Sequence, residues 1–518
     1  MAKNFHSAHA YLAFEKELKN IILVLTKNVI SACGYSKDTI KSCLIQRLVA
    51  HSLGPYIQLL SRRIDQNIDI IPPPGTIIDC QILQLKIGSG VIKLTTGKKM
   101  LSLVEFFTHW GYNLLAIISG RIPKKECGPA TLVFGTSSDN LFVDGSDHQF
   151  VKFCRFGSVS PLRQATRLIV QSYSEKGTFT DKAFSYVHQP ISVLLRQVRL
   201  GFVNRIFLFL QHLLLPFHFI FSLIRFPLHA LIARDFAYVR IISVMGREKA
   251  IEAIVDTCSS CPSQPLWAHT QHPFSTHMIW YAQNWRPIAY ASDSKLSDIP
   301  NLRWIAMDNH WIWTEGFKEY LMNLLPEASF HVVGPLMWRL PEIKAINKGQ
   351  IQITVFDISP FSNEFATSIG QMRNYNSPKH LFKFIEDILV LKKILENKFA
   401  FPVTIKLKQK RGNNLVYDQA YMEFIQQLGQ EGKIIFLPWN TNIFSLIVSS
   451  HVSIVYPYSS PAYVANHLKR PAIYYDPTGE LLPVYEKTKW VNFTQKPEDL
   501  QKFVIDLINQ QQEVYQEM

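Results

Sequence analysis

A chain of 518 residues with 47% hydrophobic content carries enough apolar side chain for two or three cores of ordinary domain size, which excludes a disordered or fibrous protein. Its formal net charge of +14 calls for acidic partners, and because the bases are dispersed and no RNA-binding or helix-turn-helix signature occurs, nucleic acid is not expected among them. Seven cysteines are an odd and sparse set that suits a reducing compartment better than a disulfide framework.

The first twenty residues scatter their charges and lack the apolar stretch and small-residue cleavage site of a secretory signal, so a cytoplasmic protein is expected. Residues 8–70 read as two or three helices, with Leu12, Phe14, Leu18, Ile21 and Leu25 at helical spacing, until Ile71-Pro72-Pro73-Pro74-Gly75 breaks the pattern. From Thr76 to about Phe156, apolar strands at Ile77–Leu85, Leu114–Ile118 and Ala130–Phe134 alternate with helical stretches such as Leu101–Trp110. The expected organisation is an N-terminal helical segment over 1–72, a first α/β domain over 73–340 and a second over 341–518.

Residues 206–233 contain no acid and are long enough to cross a bilayer. At about 100° per residue, however, Gln211, His218, Ser222, Arg225 and His229 fall within roughly 40° of one line, a polar seam that fits a helix lying in a membrane interface with the seam towards headgroups. From Lys182 to Arg234 there are six bases and no Asp or Glu, which favours an anionic leaflet. The segment at about 182–235 is therefore expected to be an amphipathic insertion attached peripherally to the membrane. A helix hairpin buried against the first domain and a single span are the alternatives.

Seven of the ten tryptophans lie between 267 and 338, beside His269-Thr270-Gln271-His272-Pro273 and Asp308-Asn309-His310. Such rings either stack on sugar faces or fill a core. Asp308, read as following a strand Trp304–Met307, is the first candidate for a general base, with His272 second and Glu315 third. Cys258 and Cys261 have no second pair at zinc spacing, and no Asp-x-Asp element stands in a suitable context, so no metal is expected.

From Ile351 onward, strands near 351–357, 402–408, 433–437, 452–455 and 472–475 alternate with helices near 379–397, 417–430, 441–449, 461–468 and 497–512, as in a doubly wound parallel sheet. Lys406, Lys408 and Lys410 share one side of their strand and its extension. The run 452–480 is the most informative: a strand without in/out alternation ends at Tyr456-Pro457-Tyr458, Ser459 and Ser460 precede a helix opened by Pro461, and a second strand delivers Asp476 and Glu480 to the same sheet edge. Hydroxyls and backbone N–H groups in such a turn suit phosphate oxygens, and ligands of open α/β sheets bind at that edge.

This segment resembles the donor-binding end of two-domain, GT-B-type glycosyltransferases of bacterial surface polysaccharide synthesis. Tyr458-Ser459-Ser460 is also similar to the Ser-Ser phosphate turn of the polyol-phosphate transferases that build teichoic acids. Val355-Phe356-Asp357, Val333-Gly334-Pro335 and Asp308-Asn309-His310-Trp311-Ile312-Trp313 look like patterns of the same group, so the likeness covers roughly 265–485. The Lys-x-His-Pro element of many relatives is replaced here by Lys406-Leu407-Lys408-Gln409-Lys410. The resemblance implies two Rossmann-like domains facing a cleft and a nucleotide-sugar donor at the second; the departure at Lys406 puts the family's phosphate contact there in question, and the residues themselves make Lys406, Lys408, Ser459, Ser460, Asp476 and Glu480 the expected donor contacts. It also implies transfer to a lipid-linked or growing saccharide acceptor, which the segment at about 182–235 would place at the inner face of the cell membrane; no cofactor is expected to be required. A CDP-polyol phosphotransferase of teichoic-acid type and a non-catalytic membrane-bound scaffold of the same shape are the alternatives.

Overall fold

The computed structural model describes residues 26–48, 96–119, 129–135, 167–171, 201–257, 264–283 without 271 and 272, 305–335, 349–362, 377–408, 416–483 without 440, and 489–516, with short pieces between them. Two parallel sheets organise the chain. The first holds β1 (Ala130–Val133), β2 (Leu168–Gln171), β3 (Phe184–Val187), β4 (Ile251–Thr257), β5 (Ser275–Ile279), β6 (Asn309–Ile312) and β7 (Ser329–Val332), in the order β3-β2-β1-β4-β5-β6-β7. The second holds β8 (Ile351–Phe356), β9 (Val403–Lys408), β10 (Ile435–Leu437), β11 (Val452–Val455), β12 (Ala472–Tyr475) and β13 (Val491–Thr494), in the order β10-β9-β8-β11-β12-β13. Counted from its own first strand, the second sheet runs 3-2-1-4-5-6 and the first runs the same way with a seventh strand added at the end, the winding of dinucleotide-binding folds, whose ligands sit beyond the strand C-termini where the order reverses.

The first sheet is covered by α1 (Lys37–Arg47), α2 (Thr96–Ile118), α3 (Phe202–Arg225) and α4 (Val239–Arg247), with α5 (Glu315–Met322) between β6 and β7. Helix α1 starts where Ser36 Oγ accepts from Thr39 N at 3.1 Å, and its Gln46 Nε2 donates to Gln264 Oε1 at 3.2 Å, tying the N-terminal segment to the first sheet.

In the second unit α6 (Pro378–Phe399) buries Leu381, Phe384, Ile385, Ile388, Leu391 and Leu395, a stripe at three- and four-residue steps. It shares one face of the sheet with α7 (Gln419–Gln430) and α10 (Pro497–Gln516), while α8 (Ile443–Val448) and α9 (Pro461–His467) cover the other. Burial on both faces explains why β11 and β12 lack in/out alternation, with every residue buried, Ser453 included.

Several expectations change. Leu114–Ile118 is the last turn of α2, not a strand. The segment at Ile77–Leu85 contributes Leu83–Lys86, which pairs antiparallel with Val91–Leu94 outside either large sheet. The strand expected at Trp304–Met307 starts only at Asn309, because His310 is accepted into the sheet: its imidazole meets Trp280 Nε1 at 3.1 Å and the Met307 carbonyl at 3.2 Å. The apolar helix ends at Arg225, where Pro227 opens a separate 3-10 turn, Pro227–Ile232. Its expected polar seam divides: His218 and Arg225 are exposed and Gln211 is half-buried, whereas Ser222 and, in the 3-10 turn beyond the helix, His229 are buried against the protein. Leu12 through Leu25, Cys258, Cys261, His272, Lys410, Trp285, Trp304 and Trp338 lie outside the described residues.

Candidate active site between the two sheets

The C-terminal edges of the two sheets meet. Beyond β5, Gln283 N donates to Ser460 Oγ at 3.2 Å, and Gln283 Nε2 donates to Thr314 Oγ1, beyond β6, at 2.7 Å. Thr314 in turn caps α5 by accepting from Phe317 N. Trp313 packs into the cluster of Phe444, Tyr463 and Val464 on the second unit. Beyond β7, Gly334 lies so close to α9 that a Cβ there would stand 2.7 Å from the His467 ring.

Ser459 and Ser460 leave β11 beside β8, at the reversal of strand order. The turn carries backbone strain: Tyr458 has φ 62°, a left-handed conformation that costs a bulky residue of order 1–3 kcal/mol. Its hydroxyl donates to the Leu482 carbonyl, and its ring lies near those of Tyr474 and Phe493. Ser459 Oγ donates to Tyr456 O at 3.0 Å, and both serines are half-buried. Helix α9 has only seven residues, so the serine hydroxyls rather than a long helix dipole distinguish this turn.

The other expected donor contacts divide. Asp476 is fully buried and its carboxylate is occupied: Oδ1 accepts from Thr478 N and Oγ1, and Oδ2 from Leu481 N and Gln495 Nε2. It shapes the loop after β12, which corrects its expected ligand role. Glu480 is half-buried on that loop, close enough to His380 at the start of α6 for its charge to oppose the burial that lowers the His380 pKa. Sequence reading missed His380, which carries no motif. Lys406 and Lys408 share the face of β9 opposite Ile405 and Leu407. Burial lowers the Lys406 pKa, and Lys408 Nζ donates to Trp439 O at 2.5 Å. Strand β8 stands between β9 and β11, so about 10 Å separates the lysine strand from the serine turn, too far for a single tight clamp.

Among the acid/base candidates, Asp308 precedes β6 and so lies on the edge opposite the meeting point, about 13 Å away along a four-residue strand. There Thr276 Oγ1 donates to Asp308 Oδ2 at 2.7 Å, and Asp308 N donates back to Thr276 Oγ1 at 2.9 Å. Glu315 follows Thr314 on the facing edge, its carboxylate exposed and 3.3 Å from Lys318 Nζ. The described tryptophans serve packing. Trp267, Trp280 and Trp313 are buried, and Trp311 donates to His277 Nδ1 and stacks on His331 at 4.5 Å. Burial pushes His277 and His310 down to about 4, keeping both neutral in this wall. Among the described residues no group of His, Cys, Asp or Glu is placed to hold a metal ion.

Comparison with solved structures finds distant likenesses. The wall teichoic acid polymerase TagF is 15% identical, covering 82% of this chain and 92% of that one with a TM-score of 0.42. A mutant of S. aureus TarM, in complex with fondaparinux, alpha-GlcNAc-glycerol and UDP, is 13% identical, covering 54% and 52% with a TM-score of 0.33. Sucrose-phosphate synthase from Thermosynechococcus elongatus is 10% identical, covering 74% and 90% with a TM-score of 0.39. The chain thus spans about half the length of TarM. No curated protein matches it. One family model matches residues 212–504, more than half of the chain and nearly all of the region that forms the meeting edges, and this protein belongs to that family, described as polysaccharide biosynthesis PFTS motif protein.

Proposed function

We propose that this protein is a glycosyltransferase that moves a sugar from a nucleotide-sugar donor to a lipid-linked or growing saccharide acceptor in surface polysaccharide synthesis. It would work in the cytoplasm, attached through the insertion at about 182–235 to the anionic inner face of the cell membrane. The observation that carries this reading is the hydrogen bond from Gln283 N to Ser460 Oγ, which brings loops of the first sheet against the strand-order reversal of the second. A donor held at that reversal points its sugar at the loops of the first sheet.

Ser460 Oγ accepts from Gln283 N and has its own proton to offer a diphosphate oxygen, Ser459 would join it by turning its hydroxyl away from Tyr456 O, and Glu480, beside His380, suits ribose hydroxyls. Lys406 and Lys408 add positive potential for the leaving anion from a neighbouring strand, so no metal is required. In the transfer an acceptor hydroxyl oxygen bonds to the anomeric carbon, the bond from that carbon to the diphosphate oxygen breaks, and the nucleoside diphosphate departs. The hydroxyl proton passes to a base. We assign that role to Glu315, which stands on the facing edge, ahead of His272 and Asp308.

The Ser459-Ser460 turn also favours a second reading, transfer of a polyol phosphate from a CDP-polyol. A thermal-shift panel separates the two. UDP- or GDP-sugars at about 100 times Kd are expected to stabilise the protein by about 2.7 kcal/mol, and Ser460→Ala to weaken that binding about tenfold. Stabilisation by CDP-glycerol alone would favour phosphotransfer, and no response to any nucleotide would leave a scaffold without turnover.

A further inference from the structure

Helices α2 and α3 are apolar on both sides: inward, Phe106, Ile117, Leu215 and Phe219 join the core, and several polar groups of the pair are drawn inward with them. Their inward sides hold polar groups, each bonded to a backbone carbonyl: Ser102 to Lys99, Asn113 to Ala237, His212 to Trp110 and Ser222 to Phe219. Their outward sides are apolar at three- and four-residue steps. Val104 is 61% exposed and Leu115 59% on α2, and Phe217 is 73% exposed and Ile224 75% on α3. The two helices are fixed side by side by the Phe106–Phe219 stack at 4.2 Å and by a reciprocal pair in which Trp110 Nε1 donates to His212 O at 2.8 Å. The two outward stripes therefore adjoin and form one large apolar face, the mark of a surface with a partner.

Charge selects the partner. Helix α3 carries Arg205 and Arg225 and no acid, and α2 carries a single one, Glu105. The Arg225 guanidinium lies over the Phe221 ring at 5.0 Å, so its stem follows the apolar face while its charge stands at the rim. Two copies joined through this face would bring like-charged rims together, which opposes self-association; anionic headgroups above hydrocarbon complement both parts. Helix α3 is long and apolar enough to cross a bilayer. Its inward side is nevertheless fastened into the protein core, leaving one side for lipid.

We propose that α2 and α3 together form a single face that docks flat on an anionic phospholipid bilayer, with both helices at the boundary of headgroups and hydrocarbon. This rests on the peripheral attachment proposed above and adds to it a second helix, far from the acid-free segment in sequence.

The test is flotation of the full chain with phosphatidylglycerol-containing vesicles against pure phosphatidylcholine vesicles. It compares wild type, a Val104→Glu/Leu115→Glu variant on α2 and a Phe217→Glu/Ile224→Glu variant on α3, all at exposed positions. Val104→Ser/Leu115→Ser, which adds no charge, separates lost burial from added repulsion. Wild type is expected to float with the anionic vesicles, and each glutamate pair to lower the bound fraction about tenfold or more, with the serine pair intermediate. An α2 variant that floats like wild type while the α3 variant does not would overturn the shared face and leave attachment by one helix. Wild type that binds neither vesicle would overturn attachment altogether. A dimer in solution that the α2 glutamates dissociate, without vesicle binding, would assign the face to a second copy and overturn the lipid proposal.

Discussion

Gly334 illustrates how a single residue sets the distance between the two sheets. It has φ +77°, which a side chain disfavours, and a Cβ would stand 2.7 Å from the His467 ring at the end of α9. Gly334→Ala should therefore destabilise by about 1–3 kcal/mol through combined strain and overpacking. Adding His467→Ala should recover the steric part and leave the backbone part, a difference readable in denaturant midpoints; an alanine that costs nothing would mean the two units are not held at this contact. The Val333-Gly334-Pro335 pattern was visible in the sequence, but its role depends on a histidine more than a hundred positions away. Gln283 is harder still: its neighbours Tyr281 and Ala282 form no motif, and its importance comes from the loop position that aims its N–H at Ser460.

At the scale of elements, α3 keeps a proline inside a long helix at a position where the loss is used. Pro216 has no N–H to offer the His212 carbonyl, and Trp110 Nε1 donates there instead at 2.8 Å. Trp110→Phe should cost about 1–2 kcal/mol by leaving that buried carbonyl unpaired. Pro216→Ala restores a helical N–H, so the double variant should lose less than the sum of the single ones; additive losses in thermal denaturation would contradict the pairing. The sequence announced this helix and the outward His218 and Arg225 of its seam but not the inward Ser222 and His229, because a polar residue on an apolar helix signals either water or a buried partner, and spacing does not distinguish them. Likewise the apolar run Leu114–Ile118 fits a strand or the end of a helix equally well. Strand β6 begins at polar Asn309 and His310, which pattern reading treats as a strand's end although Trp280 and Met307 satisfy the imidazole. The second unit was more legible, since its strands are short apolar runs set between amphipathic helices. Among its described strands only β13, whose Asn492 and Thr494 interrupt the apolar pattern, went unread.

For the whole molecule, the repeated 3-2-1-4-5-6 winding and the meeting of two C-terminal edges are the features on which function turns. The alternation that produces such sheets was readable, whereas the side of the sheet on which Asp308 stands was not, because it depended on where β6 begins. That difference supplies the most direct test: sugar transfer from a nucleotide-sugar to a membrane-borne saccharide acceptor by wild type, Glu315→Gln and Asp308→Asn. Chemistry between the facing edges predicts a fall in kcat of about 100-fold or more for Glu315→Gln and near-normal kcat for Asp308→Asn. A collapse of kcat in Asp308→Asn with Glu315→Gln unimpaired would put the reaction on the other edge and contradict the account.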